Sequence, residues 1–379
     1  MKLIEHHPIE SKVAGLRTEE MLLNMGPQHP STHGVLRLVL QISGETVTDV
    51  TPVIGYLHRG MEKIFENRTY LQGIRYTNNI DYLSQMINEH AFVGAVEQLL
   101  NLDVPRRAEY IRVIVDELQR IASHLVWLGT YLLDLGAFTP INYCFRDRDE
   151  ILEMFETLGG SRFNVNYMRV GGVLADLPMG FLGRLEKFLH RFIHTVDELE
   201  ELIGGNEIFE VRTMNVGRMS PELGIAYGIS GPCLRASGVN FDIRTFRPYS
   251  IYPELGVVPQ VEVSGDAFAR YQVRMNEMRE SVRLIQRAIE GLPGGPVRAR
   301  MPHLLRPPKG ESYYTVESPR GEMGYYLISD GSTNPYRAKV RPPCFVNLQI
   351  LPELLRGARI GDVVSVLGSI DIILGEVDR

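Results

Sequence analysis

Cysteine is scarce in this sequence. Cys144, Cys233 and Cys344 are the three cysteines among 379 residues, and no two of them are close in sequence. This spacing excludes a disulfide framework, is typical of a reducing compartment, and leaves no Cys-x-x-Cys pair to hold a metal ion. A dinucleotide fingerprint after a strand, a Walker-type phosphate loop and a Gly-x-Ser-x-Gly elbow are also missing. The chain is therefore not expected to bind a dinucleotide or a triphosphate.

Long apolar runs and an excess of positive charge are absent as well. No stretch of about 18 apolar residues occurs, so the chain is not expected to span a membrane alone. The net charge of −6 argues against a nucleic-acid binder, and residues 1–7 are too polar for a signal peptide. With 44% hydrophobic and 23% charged residues, the composition is globular. We expect a folded cytosolic protein and leave membrane attachment through partners open.

The N-terminal part of the sequence alternates as a β-strand does. Leu36, Leu38, Leu40 and Ile42 are separated by single residues, which is a period of two. A turn at Ser43–Glu45 and a second apolar run follow. The pattern predicts a small N-terminal sheet.

A helical period replaces this alternation after Tyr56. It predicts two helices up to Leu102, with a break near Gln72–Asn79, and then a long helix from an N-cap at Asp103 to Gly136. About 32 residues at about 1.5 Å each would form a rod of ~48 Å. A helix of that length suits the spine of a bundle. Two further helices are predicted over residues 181–203 and 266–291.

The predicted fold is α+β. A mainly helical bundle over residues 56–305 follows an N-terminal β domain over residues 1–55, which contains a histidine loop. A C-terminal β/α segment over residues 306–379 packs on the bundle. This segment begins with a hairpin around Pro319–Glu322 and ends in short helices from about Pro352.

Two histidines, His29 and His33, lie in the loop Gly26–Gly34. Imidazoles titrate near neutrality, and a loop held against rigid structure is a common place for chemistry. The histidines could donate protons, in which case a carboxylate would hold one ring nitrogen. The alternative is a pair of structural histidines. A zinc site would need further ligands, and no cysteine pair supplies them.

Tyr82 and Asp134 are each open to two interpretations. Tyr82, at a predicted helix start, is either a core tyrosine or a polar site residue. Asp134 lies among apolar neighbours in the last turn of the long helix, where the helix dipole and burial both disfavour an unpaired anion. It is either a solvated carboxylate at the helix end or the partner of another group.

Two charged pairs have helical spacing. Arg59 and Glu62 lie three apart and would form a surface ion pair of little worth to stability. His190 and His194 lie four apart and could share a metal ion. A third ligand is not evident in the sequence, so a solvated helix face is the simpler interpretation.

Read in order, these segments resemble the D-subunit family of respiratory complex I, the NADH:quinone oxidoreductase. The resemblance extends from the histidine loop to the last residues. It is carried by Gly26–Gly34, Val35–Leu38, His58–Lys63, Asp81–Tyr82, Asn88–Glu89, Asp134–Ala137, Ser318–Glu322 and Asp371–Arg379.

That family is related in fold to the large subunit of nickel–iron hydrogenases, so the resemblance implies a hydrogenase-like fold. Those enzymes hold their metal with two Cys-x-x-Cys pairs, and the corresponding positions here are Asp81–Ser84 and Asp371–Leu374. Nickel–iron chemistry needs soft thiolate ligands. The resemblance therefore implies a chain without metal or cluster, whose cavity accepts an organic substrate.

The resemblance also implies site residues. In the family, this subunit and an iron–sulfur partner subunit enclose the pocket in which a quinone such as ubiquinone is reduced. The family's catalytic positions correspond to His33, Tyr82 and Asp134, with Asp134 as the acidic partner of the histidine. His29 and Arg59 correspond to cofactor-binding positions. Arg59 would lie near the partner's terminal cluster, whose potential a cation raises.

Partners and location follow from the same resemblance. The chain would act only within a proton-translocating NADH:quinone oxidoreductase, attached through its partners to the cytoplasmic face of the cell membrane. Those partners are the iron–sulfur small subunit, other peripheral-arm subunits and the membrane-arm quinone-channel subunit. The alternatives are a ferredoxin-fed quinone reductase, a non-catalytic scaffold and a true hydrogenase, the last opposed by the missing cysteine pairs. Asn164 departs from the family pattern, because many relatives have a histidine there.

Overall fold

The N-terminal sheet forms as the alternation predicts. The computed structural model describes residues 11–13, 16–18, 20–29, 34–302 and 304–379. The first strands are β1 (Ser11–Val13), β2 (Leu16–Thr18), β3 (Glu20–Met25), β4 (Arg37–Ser43) and β5 (Thr46–Val53). β1 and β2 pair as a hairpin, whereas β3, β4 and β5 form an antiparallel sheet in that order. The alternating apolar residues of β4 are buried, which confirms the predicted sheet.

Most of the remaining chain is helical. Between the two larger sheets lie α1 (Met61–Glu66), α2 (Tyr70–Thr77), α3 (Gln85–Leu100), α4 (Arg106–Asp134), α5 (Thr139–Gly159), β6 (Met168–Arg169), β7 (Gly172–Val173), α6 (Phe181–Ile203), α7 (Glu207–Thr213), α8 (Pro221–Ala226), α9 (Gly231–Arg235), α10 (Ile243–Phe246), α11 (Tyr252–Leu255) and α12 (Ala267–Glu290). The C-terminal part contains β8 (Gly310–Ser318), β9 (Gly321–Ser329), β10 (Arg337–Arg341), α13 (Pro343–Leu348), α14 (Leu351–Leu355), α15 (Asp362–Ile370) and α16 (Leu374–Asp378).

Three helices precede α4, where the sequence pattern predicts two. The additional start is a capping box, in which the Thr69 hydroxyl accepts the Gln72 N–H and the Gln72 side chain accepts the Thr69 N–H. This box begins α2. The predicted break near Gln72–Asn79 is wrong over most of its length, because α2 occupies those residues.

α4 is the spine of the bundle, as its period predicts. Of its 29 residues, 22 are buried, and it is about 44 Å long at about 1.5 Å per residue. It packs against α3, α5, α12 and α15. The predicted N-cap at Asp103 is wrong, because Pro105 takes the N-cap position with an extended backbone.

The other predicted elements are also present. α6 matches the predicted helix, and α12 has Asp266 as its N-cap, because the Asp266 carboxylate accepts the Ala269 N–H. β8 and β9 form the predicted hairpin, and β10 pairs with β9. The mixture of helices and small antiparallel sheets confirms the α+β class.

Two large apolar cores occupy the described part of the chain. The larger core joins α1–α6 and α12 to the C-terminal sheet, and the smaller one joins the N-terminal sheet to α13–α16. The two ends of the chain therefore share a core, although the three-part domain division stays a prediction. Among the described helices, none is both long and apolar enough to cross a bilayer.

Candidate functional site

Tyr82 lies in the turn between α2 and α3. Asp81 shapes this turn, because its carboxylate accepts the N–H groups of Leu83 and Ser84 at 3.0 and 3.2 Å as well as the Ser84 hydroxyl. An aspartate here satisfies donors that the start of a helix leaves free. The turn thus holds Tyr82 just ahead of α3, with its side chain half-buried.

A buried arginine joins this turn to the C-terminal segment. Arg320, in the turn between β8 and β9, donates to Asp81 Oδ2 at 3.0 Å and to Asp371 Oδ1 at 3.3 Å. It also donates to Ser123 Oγ on α4 at 2.8 Å, while Arg274 lies 3.8 Å from the second oxygen of Asp371. We call Asp81, Arg320 and Asp371 the Arg320 bridge. It connects the turn that contains Tyr82 with the C-terminal segment.

The Arg320 bridge is shielded from water. Arg320, Asp81 and Asp371 are 1%, 0% and 3% exposed. Burial alone would lower the pKa of the guanidinium, but Asp371 and Asp81 raise it above its ordinary value. Arg320 therefore stays a cation, and its loss would leave buried carboxylates without their shared counter-charge.

The C-terminal segment packs directly on Tyr82. A Cβ added to Gly375 would lie 3.2 Å from Tyr82 Cε1 and 2.8 Å from the Ile80 carbonyl oxygen, so a larger residue would displace the turn. A Cβ added to Gly34, the residue after the histidine loop, would lie 3.9 Å from Leu374. The end of that loop and Tyr82 therefore approach the same segment.

The phenol of Tyr82 remains protonated near neutral pH. Burial is the main cause that raises the pKa of Tyr82 above its ordinary value, and the charge of Asp81 adds to it. A neutral phenol is both a donor and an acceptor of hydrogen bonds. Tyr82 can therefore donate a hydrogen bond or a proton to a ligand oxygen.

Arg59 is tied to the same region and not to Glu62. Its guanidinium donates to the carbonyl oxygens of Asn79 and Gly375 at 2.7 and 3.4 Å, whereas Glu62 accepts from Lys339 and other cations. The interpretation as an Arg59–Glu62 ion pair is therefore wrong. One exposed cation instead touches both the turn before Tyr82 and the segment behind it.

The C-terminal residues anchor the loop that carries Arg59. The Asp378 carboxylate accepts the N–H groups of Gly55 and Leu57 at 2.8 and 2.7 Å. The Arg59 N–H donates to the carbonyl oxygen of Arg379 at 3.2 Å. The loop before α1 is thus fixed to the same C-terminal segment as Tyr82.

Comparison with known proteins identifies the family. The family model described as "Respiratory-chain NADH dehydrogenase, 49 Kd subunit" matches residues 134–307 and 301–379. The NADH-quinone oxidoreductase D subunit of Desulforamulus reducens is 53% identical over 96% of this chain and 99% of its own length. The D subunit of Dehalococcoides mccartyi strain 195 is also 53% identical, over 96% of this chain and 100% of its own. The D subunit of Geobacillus kaustophilus is 51% identical over 96% and 99%.

The chain belongs to this 49 Kd subunit family. The resemblance stated from the sequence motifs is thereby confirmed over nearly the whole length. The relatives are subunits of an oxidoreductase complex. Membership of this family therefore implies that the partners of the chain are other complex I subunits.

The structure brings some of the predicted site residues of this complex I subunit together. Tyr82 and Arg59 share neighbours, as described above. Asp134 is the last residue of α4 and is half-buried, and His29 is exposed at the end of the described N-terminal segment. His33 lies outside the described residues. His190 and His194 are exposed on α6, and no group of three or more potential ligands capable of holding a metal occurs in the described part of the chain.

Asn164, which departs from the family pattern, lies in a loop bonded to the Tyr82 turn. Its backbone is left-handed (φ 57°), a conformation that asparagine tolerates well. Its carbonyl oxygen accepts from Arg75 at 2.8 Å, and the amide of Asn78 donates to the next carbonyl, that of Val165, at 3.0 Å. These contacts place the Asn164 loop beside the end of α2.

Sequence reasoning missed the role of Glu89. This buried carboxyl accepts the N–H groups of Tyr167 and Met168 at 3.0 and 2.9 Å, just after the Asn164 loop. Burial raises the pKa of Glu89 to about 8. The partners of Glu89 are distant in sequence, so no local pattern could have pointed to them.

The Arg320 bridge gives the first prediction. Arg320→Met should lower the free energy of unfolding at pH 7 by about 3–5 kcal/mol, because buried carboxylates lose their cation. The loss should shrink as the pH falls, since protonation removes the uncompensated charge. Urea unfolding of the purified chain at pH 7 and pH 5 measures both effects.

Arg356→Met is the matched control for this measurement. Arg356 pairs with Glu353 on an exposed face of α14, so its loss should cost less than about 1 kcal/mol. Equal losses for the two variants would show that the Arg320 bridge is not the main electrostatic link between these segments.

Proposed function

We propose that this chain forms the headgroup end of a quinone pocket in a proton-translocating NADH:quinone oxidoreductase. An iron–sulfur partner subunit would complete the pocket and deliver electrons from its cluster. The observation that carries the proposal is the protonated phenol of Tyr82, half-buried beside the Arg320 bridge. The names of the relatives, which are D subunits of NADH-quinone oxidoreductases, support the reaction class.

Quinone reduction requires hydrogen-bond and proton donors at the quinone oxygens. Reduction of a quinone to a quinol takes two electrons and two protons, and each oxygen that gains charge needs a hydrogen-bond donor. Tyr82 serves one oxygen and His33 the other. The raised pKa of Tyr82 keeps its phenol neutral, so its hydroxyl is available to donate a hydrogen bond, and an imidazolium can transfer its proton near neutrality.

The Arg320 bridge supports an organic rather than a metallic site. In a hydrogenase-like fold, Asp81 and Asp371 stand near the positions of the metal-binding thiolates, and both bind Arg320. Carboxylates are poor ligands for nickel–iron chemistry, which needs soft sulfur. We therefore place the electron carriers in the partner and the proton donors in this chain.

Arg59 has the properties of a residue facing a partner's cluster. Its side chain is exposed, and its guanidinium is held by the carbonyl oxygens of Asn79 and Gly375. A fixed cation next to a cluster favours the reduced form and raises its potential. His29 is exposed at the end of the described N-terminal segment, and we propose that it contacts the quinone. The membrane-arm quinone-channel subunit would meet this face from the membrane side.

Tyr82→Phe tests the proposed pocket. The variant should lower the quinone reductase rate of the assembled complex by about 10²-fold, the usual contribution of a positioned acid. NADH should still reduce the clusters, which electron paramagnetic resonance can measure. Tyr336→Phe, which alters a tyrosine that is 68% exposed, is the control and should leave the rate unchanged. An unchanged rate in Tyr82→Phe would favour a scaffold role for the chain.

Asp134 is proposed as the acidic partner of His33. A carboxylate raises the pKa of a neighbouring imidazole by stabilising its cation, and proton loss from that pair would start the structural change that drives pumping. In Asp134→Asn the pKa of His33 should fall by about one unit, so about tenfold less imidazolium is present at neutral pH. Quinone reduction and proton pumping should therefore slow by about tenfold.

Asp103→Asn is the control for Asp134, because Asp103 is exposed near the other end of α4. Proton pumping in membrane vesicles and quinone reduction should be measured together. Wild-type values for both in Asp134→Asn would remove Asp134 from the mechanism.

Asn164 gives a prediction for the partner's cluster. An amide does not titrate where a histidine does, so the cluster potential should change with pH by clearly less than the ~59 mV per unit of a coupled proton. Asn164→His should steepen that slope. Asn101→His is the matched control, since Asn101 is also left-handed but exposed at the end of α3. A full proton-coupled slope in the wild type would contradict the prediction.

A further inference from the structure

Glu376, behind Tyr82, is a buried carboxyl with an unused oxygen. Its side chain is 0% exposed. One carboxyl oxygen accepts the Cys344 N–H at 3.2 Å, while the other has no hydrogen-bond partner among the residues that the structure describes. An ionised carboxylate in that position would carry a large desolvation cost. A protonated carboxyl would carry much less.

The charged groups around Glu376 favour a protonated carboxyl. Three carboxyl groups, Asp81, Asp371 and Glu376, face two guanidinium groups, Arg320 and Arg274. Asp81 and Asp371 each pair with a cation, whereas Glu376 forms no ion pair among the described residues. The proton that balances the cluster falls on Glu376.

Among the remaining described groups, Arg59 binds the carbonyl oxygen of Gly375 rather than the Glu376 carboxyl, and two other neighbours are neutral. Cys344 on α13 contacts it through its backbone N–H, and the buried Tyr325 hydroxyl on β9 lies within its electrostatic reach. Both side chains have pKa values raised well above normal, mainly by burial, so both are neutral. Burial first, and Asp81 second, raise the pKa of Glu376 to about 8.

Glu376 is connected to Tyr82 through short structural links. It follows Gly375, whose backbone packs on the Tyr82 ring. Asp81, the residue before Tyr82, also acts on Glu376, because its charge raises the pKa of that carboxyl. The acid and the phenol therefore belong to one buried cluster, at the point where α13 and α16 meet the Tyr82 turn.

We propose that Glu376 supplies the proton that restores Tyr82 after the phenol has protonated a quinone oxygen. In the first step, the Tyr82 O–H bond breaks and its proton passes to the reduced quinone oxygen. In the second, the Glu376 O–H bond breaks and its proton passes to the phenolate. The product is a Glu376 carboxylate, which Arg320 stabilises until solvent returns a proton. This inference rests on the proposed function, and Glu376 acts through Tyr82 rather than on quinone.

The pH profile of Glu376→Gln tests the inference. In the wild type, Glu376 is protonated below about pH 8, so the quinone reductase rate should fall as the pH rises through that value. In the variant, which keeps the shape but holds no transferable proton, the rate at pH 7 should fall roughly tenfold. This loss is below the ~10² of a directly acting acid, because solvent substitutes slowly. The fall near pH 8 should disappear, and the KM for a short-chain quinone should change little.

Two further variants separate the outcomes. Glu376→Asp keeps a titratable acid and should retain a pH-dependent fall, moved along the pH axis. Glu353→Gln, on the exposed side of α14, should keep the wild-type profile. If Glu376→Gln does not assemble, the wild-type and Glu376→Asp profiles decide, since absence of a fall near pH 8 overturns the inference.

Tyr82→Phe distinguishes failure of the inference from failure of the proposed function. A large loss in Tyr82→Phe together with a normal profile in Glu376→Gln would overturn the role of Glu376 alone. An unchanged rate in Tyr82→Phe would overturn both. A lower rate in Glu376→Gln that keeps the fall near pH 8 would point to a structural role and would also overturn the inference.

Discussion

The contact of Arg320 with Asp81 and Asp371 is the constraint on which the site depends. Buried ion pairs contribute little net stability, because desolvation offsets their attraction, so the importance of this one is geometric. It fixes the Tyr82 turn, the hairpin between β8 and β9, and the C-terminal segment in one arrangement. The hairpin is itself held by a close backbone approach, since a Cβ on Gly231 would lie 2.5 Å from the Cα of Gly321.

A second constraint links the two faces of the site. Arg59 donates to Asn79 on one side and to Gly375 on the other, while Asp378 anchors the loop in front of it. A displacement of the C-terminal segment would therefore move both the proposed cluster-facing cation and the packing of Tyr82. Electron delivery and proton delivery would thus depend on the same few residues at the end of the chain.

The sequence predicted the parts that depend on local patterns. The spine α4, the hairpin at Pro319–Glu322 and the cap at Asp266 follow from periodicity and turn chemistry. Asp103 was predicted as the N-cap of α4, but Pro105 takes that position. The sequence allowed either residue to precede the helix. The Arg320 bridge could not be predicted, because the sequence shows that an arginine is present but not which distant carboxylates pair with it. Tyr82 entered through the resemblance, and nothing in its local pattern distinguished it from a core tyrosine.

The same limit explains why Glu376 escaped notice. In the sequence it is one of two acidic residues among the last five, where a solvated carboxylate is the ordinary expectation. The fold places Asp81 and Asp371 in the same cluster as Glu376, and Arg320 and Arg274 are the two guanidinium groups that face these three carboxyl groups. The sequence alone does not show this grouping. At Asp81 and Asp371 the carboxylate oxygens are already bonded to the guanidinium of Arg320. Such oxygens are poor ligands for a soft metal centre. In the proposed function the electrons therefore come from the partner, and this chain holds the protons.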